Sequence, residues 1–265
     1  MSSTYAKDVD SALMRQTLLD RSQVRPVDQQ QPVIRMLPML DVVVLGGRSI
    51  IDGGRGVLLP VVDELRAAMA DRKLLICTGA GIRARHVMGV GLDLGLPTGA
   101  LAELAGCEAE QNGHMVAALL AEQGVAYLGH ETVGTQLPVH LAASNAMVTN
   151  GFPPYGVHEF PPAVGKIPPH RTDAGSLLLA DAYGARSLTY VRDVDGVLDG
   201  AAPRPTATAS ELLADESATY PVDRAALELL GRAKHVRQFQ IVNGTVSGTL
   251  TRALAGEHVG TIVTA

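Results

Sequence analysis

The chain has 265 residues, of which 46% are hydrophobic and 18% charged, and its formal net charge is −5. That length suffices for one α/β domain, or two small ones, with a sizeable core. The acidic balance argues against a nucleic-acid surface, and no stretch reaches the roughly 20 uninterrupted apolar residues of a membrane helix. With 3% aromatic residues and no tryptophan, the core must be built from Ala, Val, Leu and Ile. The two cysteines, Cys77 and Cys107, lack the close spacing of a zinc site and suit a reducing, cytoplasmic compartment.

Residues 1–37 read as a polar N-terminal arm, with Lys7, Asp8 and Asp10 where a secretory leader would be apolar. Either it packs on a neighbouring subunit or it is a tail. Residues 38–265 read as one domain in which short apolar runs alternate with helical patterns, the signature of βαβ units. The run from Asp41 to Leu45 is the first buried strand and ends at Gly46-Gly47. A helix is predicted from Arg55 to Met69 and a second strand from Lys73 to Cys77, stopping at Thr78-Gly79. The stretch from Ala100 to Gln123 is predicted helical with a break near Gly106, and Val125–Leu128 and Ala146–Thr149 are predicted strands.

From Gly151 to Pro169 three proline pairs predict a long stiffened loop. A helix opening at Thr172-Asp173, a strand over Leu188–Val191 and a Pro- and Ala-rich loop from Gly200 to Ala209 follow. A helix from Asp223 to Ala233, a strand from Val236 to Val242 and a final helix–strand pair complete the chain. The expected fold class is α/β, a three-layer sandwich around a mainly parallel sheet.

Glycines that end successive strands let backbone N–H groups approach an anion. Gly46, Gly47 and Arg48 form one such turn; Gly79, Ala80 and Gly81, backed by Arg83, Arg85 and His86, form another. If a helix starts at Gly81 or Ile82, its N-terminus and Arg83 would face the same phosphate. Asp173, Asp193 and Asp195, with Gly196 in the turn, place carboxylates beside a helix start and a strand end, where Mg²⁺ could sit between them and nucleotide phosphates. Asp173 also reads simply as a helix cap. His114, His130, His140, His158 and His170 cluster in sequence around the proline loop.

The order Gly46-Gly47, Gly79-Ala80-Gly81, Arg171-Thr172-Asp173-Ala174, Asp193-Val194-Asp195-Gly196-Val197 and Val259-Gly260-Thr261 resembles the uridylate-kinase branch of the amino-acid-kinase family. Finer runs resemble that family's molybdenum-storage members, their α-type subunits in particular: Gly79 to Val87, Gly91 to Pro97, Gln111 to His114, Phe152 to Tyr155, and Val242 to Thr261. The resemblance implies an amino-acid-kinase fold, bound ATP with Mg²⁺, and molybdate or tungstate held as polyoxometalate clusters. It also implies a cage-like hexamer of homologous subunits, either one chain type or an α3β3-like arrangement. His130, His158, His140, His114 and Gln136 become the candidate oxyanion contacts.

Three departures matter. Kinases of the family carry a lysine where this chain has Val44 and another where it has Asp193, so ordinary phosphoryl transfer is not expected. Of the three histidines expected after Pro153-Pro154-Tyr155, only His158 remains in Gly156-Val157-His158, and an acidic residue expected before His130 is Gly129. The alternatives are a uridylate-kinase-like phosphotransferase and a nucleotide-binding scaffold without chemistry.

Overall fold

The computed structural model describes residues 34–152, 168, 171–200, 202–215 and 219–265. Most of the predicted arm, the proline-paired loop, His158 and His170 lie outside the described residues. The elements run β1 (Leu40–Leu45), α1 (Arg55–Ala68), β2 (Lys73–Thr78), α2 (Ile82–Asp93), α3 (Thr98–Leu119), α4 (His130–Ala143), β3 (Ala146–Thr149), α5 (Thr172–Tyr183) and β4 (Ser187–Arg192). A small hairpin, β5 (Leu198–Asp199) with β6 (Ala202–Pro203), precedes β7 (Thr206–Thr208), α6 (Ala209–Ala214), α7 (Arg224–Arg232), β8 (Gln238–Asn243), α8 (Thr249–Leu254) and β9 (Thr261–Thr264).

Seven strands form one sheet in the order β3-β2-β1-β4-β8-β9-β7, parallel except for the β8–β9 pair. β1 is apolar on both faces apart from Asp41, as a central strand covered on both sides must be. Leu40, Val42 and Val44 point to one core with Leu75, Cys77, Leu177 and Leu227; Val43 and Leu45 point to the other with Ile76, Val61, Leu65 and Val116. Helices α4, α5, α6 and α7 therefore cover one face and α1, α3 and α8 the other, giving the expected three layers. The buried Asp41 is satisfied by Arg186, by Ser187 Oγ at 2.7 Å and by Arg72 at 3.3 Å.

The chain moves outward from β1 through β2 to β3, then returns to lay β4 on the opposite side of β1. The carboxyl ends of β1 and β4 thus bound a topological switch point, where open α/β sheets hold their ligands.

Four local expectations change. The helix predicted to break at Gly106 is continuous over Thr98–Leu119, because Leu101, Ala102, Ala105 and Ala109 bury one face and outweigh glycine's roughly 1 kcal/mol helix penalty. Val125–Leu128 is not a strand; only Tyr127 bridges Val148. The predicted Gly200–Ala209 loop contains β6 and β7, and β7 is stitched to β9 by a parallel register. Helix α4 has no forecast: Gly134 and Pro138 within it hide its pattern, yet Val133, Leu137 and Leu141 anchor one side.

Candidate functional site

Two glycine turns close on each other at the ends of β1 and β2. Gly79 N–H donates to Leu45 O at 2.9 Å and Gly46 N–H to Val191 O at 3.1 Å. A Cβ on Gly47 would lie 2.1 Å from Gly81 N, and one on Gly79 would lie 2.6 Å from Gly47 N. The glycines are required first by backbone-on-backbone packing. After Gly46 the chain makes a wide turn in which Ile51 N–H and Asp52 N–H reach back five residues to Gly46 O and Gly47 O at 3.1 and 2.8 Å. The opening N–H groups of such a turn have no acceptor inside it, and Gly47, Arg48 and Ser49 line a cleft of about 780 Å³.

The second turn behaves differently from the sequence expectation. Helix α2 does start at Ile82, but its N-terminus is occupied by the chain's own Asp52, whose Oδ2 accepts from Ile82 N–H at 2.6 Å. Arg83 does not line the cleft; Glu108 holds its Nε at 2.9 Å and Asn112 accepts from its Nη2. The buried Asn112 also donates to Gly79 O at 2.7 Å and so fixes that turn. Arg85, two residues on, is the α2 cation that lines the cleft.

The opposite wall is a charge network. Asp173, in the first turn of α5, does not cap its own helix. Its Oδ1 is 2.5 Å from Arg192 Nη2 and its Oδ2 accepts from Asp223 N–H at 3.0 Å. Arg192 ends β4 with only 7% of its surface exposed; its Nε donates to Pro221 O at 2.7 Å and its Nη1 to Val191 O at 3.0 Å and Val44 O at 3.3 Å. Its guanidinium stands 5.2 Å from the Tyr190 ring centre. Asp223, at the start of α7, pairs with Arg171. Burial, and then the neighbouring Asp173 charge, push the Asp223 carboxyl up to about 7.

Of the other predicted anion-site residues, Ala80, Asp193 and Gly196 line the cleft with Gly46, Gly47, Arg48, Gly79, Gly81 and Asp173. Asp195 faces a separate small groove and accepts from Asn243 Nδ2 at 2.8 Å. Gly196 has φ +124°, and a Cβ there would meet Thr261 Oγ1 at 2.2 Å. Val44 is fully buried beside Cys77 and Tyr190 in the apolar core, so it puts no charge in the cleft. Among the described residues Arg171, Arg192 and Arg204 are paired with Asp223, Asp173 and Glu211, whereas Arg48 and Arg85 face the cleft without a carboxylate partner.

Among the described residues, His114, His130 and His140 do not form one cluster. His130 opens α4 and His140 lies ten residues further along it, roughly 15 Å by helical rise. Gln136 is exposed on the same helix. His114 sits on α3, 3.5 Å from Glu110, with its ring centre 4.3 Å from that of Tyr127 and tilted by 37°. No group of three or more His, Cys, Asp or Glu side chains gathers among the described residues. His130 Nδ1 lies 3.1 Å from the buried Asn150 Nδ2, while Asn150 Oδ1 accepts from Phe152 N–H at 3.1 Å. Asn150 therefore presents its amide N–H to the ring, which makes Nδ1 the acceptor and leaves the proton on Nε2.

Arg192, Asp223 and Asp52 escaped the sequence reading as site residues. Arg192 had a visible signal, a charge closing an otherwise apolar strand, but its partners come from three separate segments.

Known proteins fall in line with this architecture. Residues 39–243 match the model of the amino acid kinase family. The chain is 43% identical to the molybdenum storage protein subunit beta of Azotobacter vinelandii, over 97% of each chain. It is 35% identical to an acetylglutamate kinase of Solibacter usitatus over 53% of this chain and 56% of that one. Uridylate kinase from Archaeoglobus fulgidus superposes with a TM-score of 0.64 at 17% identity, covering 84% of this chain and 99% of that one, and UMP kinase from Bacillus anthracis with 0.64 at 18%, covering 86% and 96%. At such identities the two structures speak to the fold.

Proposed function

The chain belongs to the amino acid kinase family, and on that premise we propose that it is a storage subunit. It binds ATP with Mg²⁺ at the glycine-turn cleft and holds molybdate or tungstate as polyoxometalate clusters inside a hexameric cage. The observation that carries this reading is the 43% identity, along 97% of both chains, to a protein named for molybdenum storage. The finer α-type assignment draws no support from that relative, which is a beta subunit.

The cleft's chemistry suits holding a polyphosphate better than transferring one. The unshared N–H groups of Gly47, Arg48 and Ser49 offer donors, and Arg48 and Arg85 offer charge. Asp173 has both oxygens engaged, Oδ1 by Arg192 and Oδ2 by Asp223 N–H. Asp193 and Asp199 line the cleft with no partner among the described residues. One or two carboxylates plus phosphate oxygens and water are the usual Mg²⁺ environment, so these two fit it. Magnesium, when bound, would neutralise phosphate charge.

A uridylate-kinase-like phosphotransferase is favoured only by the fold. Phosphoryl transfer depends on cations that follow the developing charge. Val44 supplies none, and Asp193 is negative where the family lysine would be. Arg192 does not substitute, because its charge is held by Asp173 and four of its five N–H groups are engaged by three carbonyls and that carboxylate. Ala84, Met88, Ala105 and Phe152, which pack in one apolar cluster, give the cleft a stretch of lining with no side-chain donor for a phosphate. Calorimetric titration with Mg-ATP alongside a coupled UMP phosphorylation assay separates the readings. Saturable ATP binding without UMP turnover supports storage, and steady UMP turnover contradicts it. A scaffold without chemistry would bind ATP yet take up no metal.

A further inference from the structure

Arg171, Asp223, Asp173 and Arg192 form one linked row along the cleft wall, an arginine at each end and two carboxylates between, and three of its contacts hold a single segment. Arg192 Nε grips Pro221 O at 2.7 Å, Asp173 Oδ2 takes Asp223 N–H at 3.0 Å, and Arg171 takes the Asp223 carboxylate. Residues 219–223 thereby become part of the wall, with Thr219, Tyr220, Pro221 and Asp223 all facing the cleft. The two arginines are not equivalent. Arg192 is buried and makes four hydrogen bonds, whereas the Arg171 side chain is 48% exposed, lines the cleft, and has the Asp223 carboxylate as its only ion-pair partner among the described residues. Arg171 is the member that can turn.

We propose that Arg171 is a proton-gated anion contact: while Asp223 is ionised it holds Arg171 back, and when Asp223 takes a proton from solvent the guanidinium swings toward the phosphoryl oxygens of a bound nucleotide. This rests on the nucleotide reading of the cleft. With all four groups ionised the network is neutral; one proton on Asp223 leaves it with a net positive charge against the phosphates. The Asp223 carboxyl is poised for this near neutrality, at about 7, because it is buried beside Asp173. The charged groups acting on it are Asp173, Arg171 and Arg192. On its own helix Arg224 turns away, to Leu213 O at 2.6 Å and toward Glu228 at 3.8 Å. On α6, Glu211 is held by Arg204 at 3.0 Å, and on α5, Asp181 is held by the N–H groups of residues 234–236.

The test is calorimetric titration of ATP into the full-length protein and its Asp223→Asn variant at pH 6 and pH 8, so that the nucleotide's own titration cancels in the ratio. The variant is expected to bind about tenfold more tightly than the parent at pH 8, and the two are expected to converge at pH 6. A Kd ratio that is equal at both pH values overturns the proposal. If neither protein binds ATP at either pH, the nucleotide reading and the gate both fall. Infrared difference spectra, parent minus variant, read the carboxyl band of Asp223 without any ligand. A carboxyl that loses its proton between pH 6 and 8 supports the gate, and one already ionised at pH 6 overturns it whatever the binding data give.

Discussion

Arg192 and Asp173 meet at 2.5 Å across the carboxyl ends of β4 and the start of α5, each almost buried. The pair is neutral overall, so it brings no net positive charge to this sheet edge. The cation has become a fixed part of the wall rather than a group free to follow a phosphate.

Removing that cation leaves Asp173 buried without its ion partner. Arg192→Met is expected to lose about 3–5 kcal/mol of stability, the usual cost of breaking a buried pair from one side. Arg192→Lys should lose less, because an ammonium keeps the charge but cannot reach Pro221, Val44 and Asp173 together. Urea unfolding of the two variants measures the difference, and equal losses would contradict the fork geometry.

The glycine turns give a sharper contrast. Gly47→Ala puts a Cβ 2.1 Å from Gly81 N and 2.7 Å from Gly79 O, so backbone must move. A loss of about 1–3 kcal/mol is expected, together with weaker ATP binding. Gly134, within α4, meets nothing within 4 Å, and Gly134→Ala should be stabilising by about 0.5–1 kcal/mol. Thermal unfolding of both variants checks the pair.

Most of the architecture is legible in the sequence because central parallel strands must be apolar on both faces, and the runs from Asp41 to Leu45 and Lys73 to Cys77 have no other use. The two glycine turns are legible as turns. Their reason is not, since the close approach of Gly47 to Gly79 depends on two strands lying side by side. Asp173 illustrates the limit. Its place at a helix start can be read, but a cap, a metal ligand and an arginine partner look alike until β4 and α7 are packed beside it. Helix α4 shows the converse, a glycine and a proline masking an element that tertiary packing restores.

Stability should fall as pH rises toward neutrality. The Asp223 carboxyl stands at about 7 in the folded chain against an ordinary 3.8, so between those values the folded state binds more protons than the unfolded one. The slope of unfolding free energy with pH is then negative, and this group's contribution is lost as pH climbs through the window. Asp223→Asn should flatten that dependence between pH 5 and 8 in thermal unfolding, and an unchanged slope would contradict the assignment.

The contact between Asn150 and His130 predicts the tautomer whose proton sits on Nε2, with Nδ1 accepting from the amide. Long-range proton–nitrogen correlation spectra should show that tautomer in the parent. Asn150→Asp reverses the polarity of the contact and should move the proton to Nδ1. A mixture of tautomers in the parent would show that the amide does not hold the ring.

The most direct measurement is elemental analysis of the purified protein after incubation with molybdate and Mg²⁺, with and without ATP, counting molybdenum atoms per chain. The storage reading predicts many molybdenum atoms per chain with ATP and few without it. Background metal under both conditions, from protein that still binds ATP and even when homologous partner subunits are added, would contradict it.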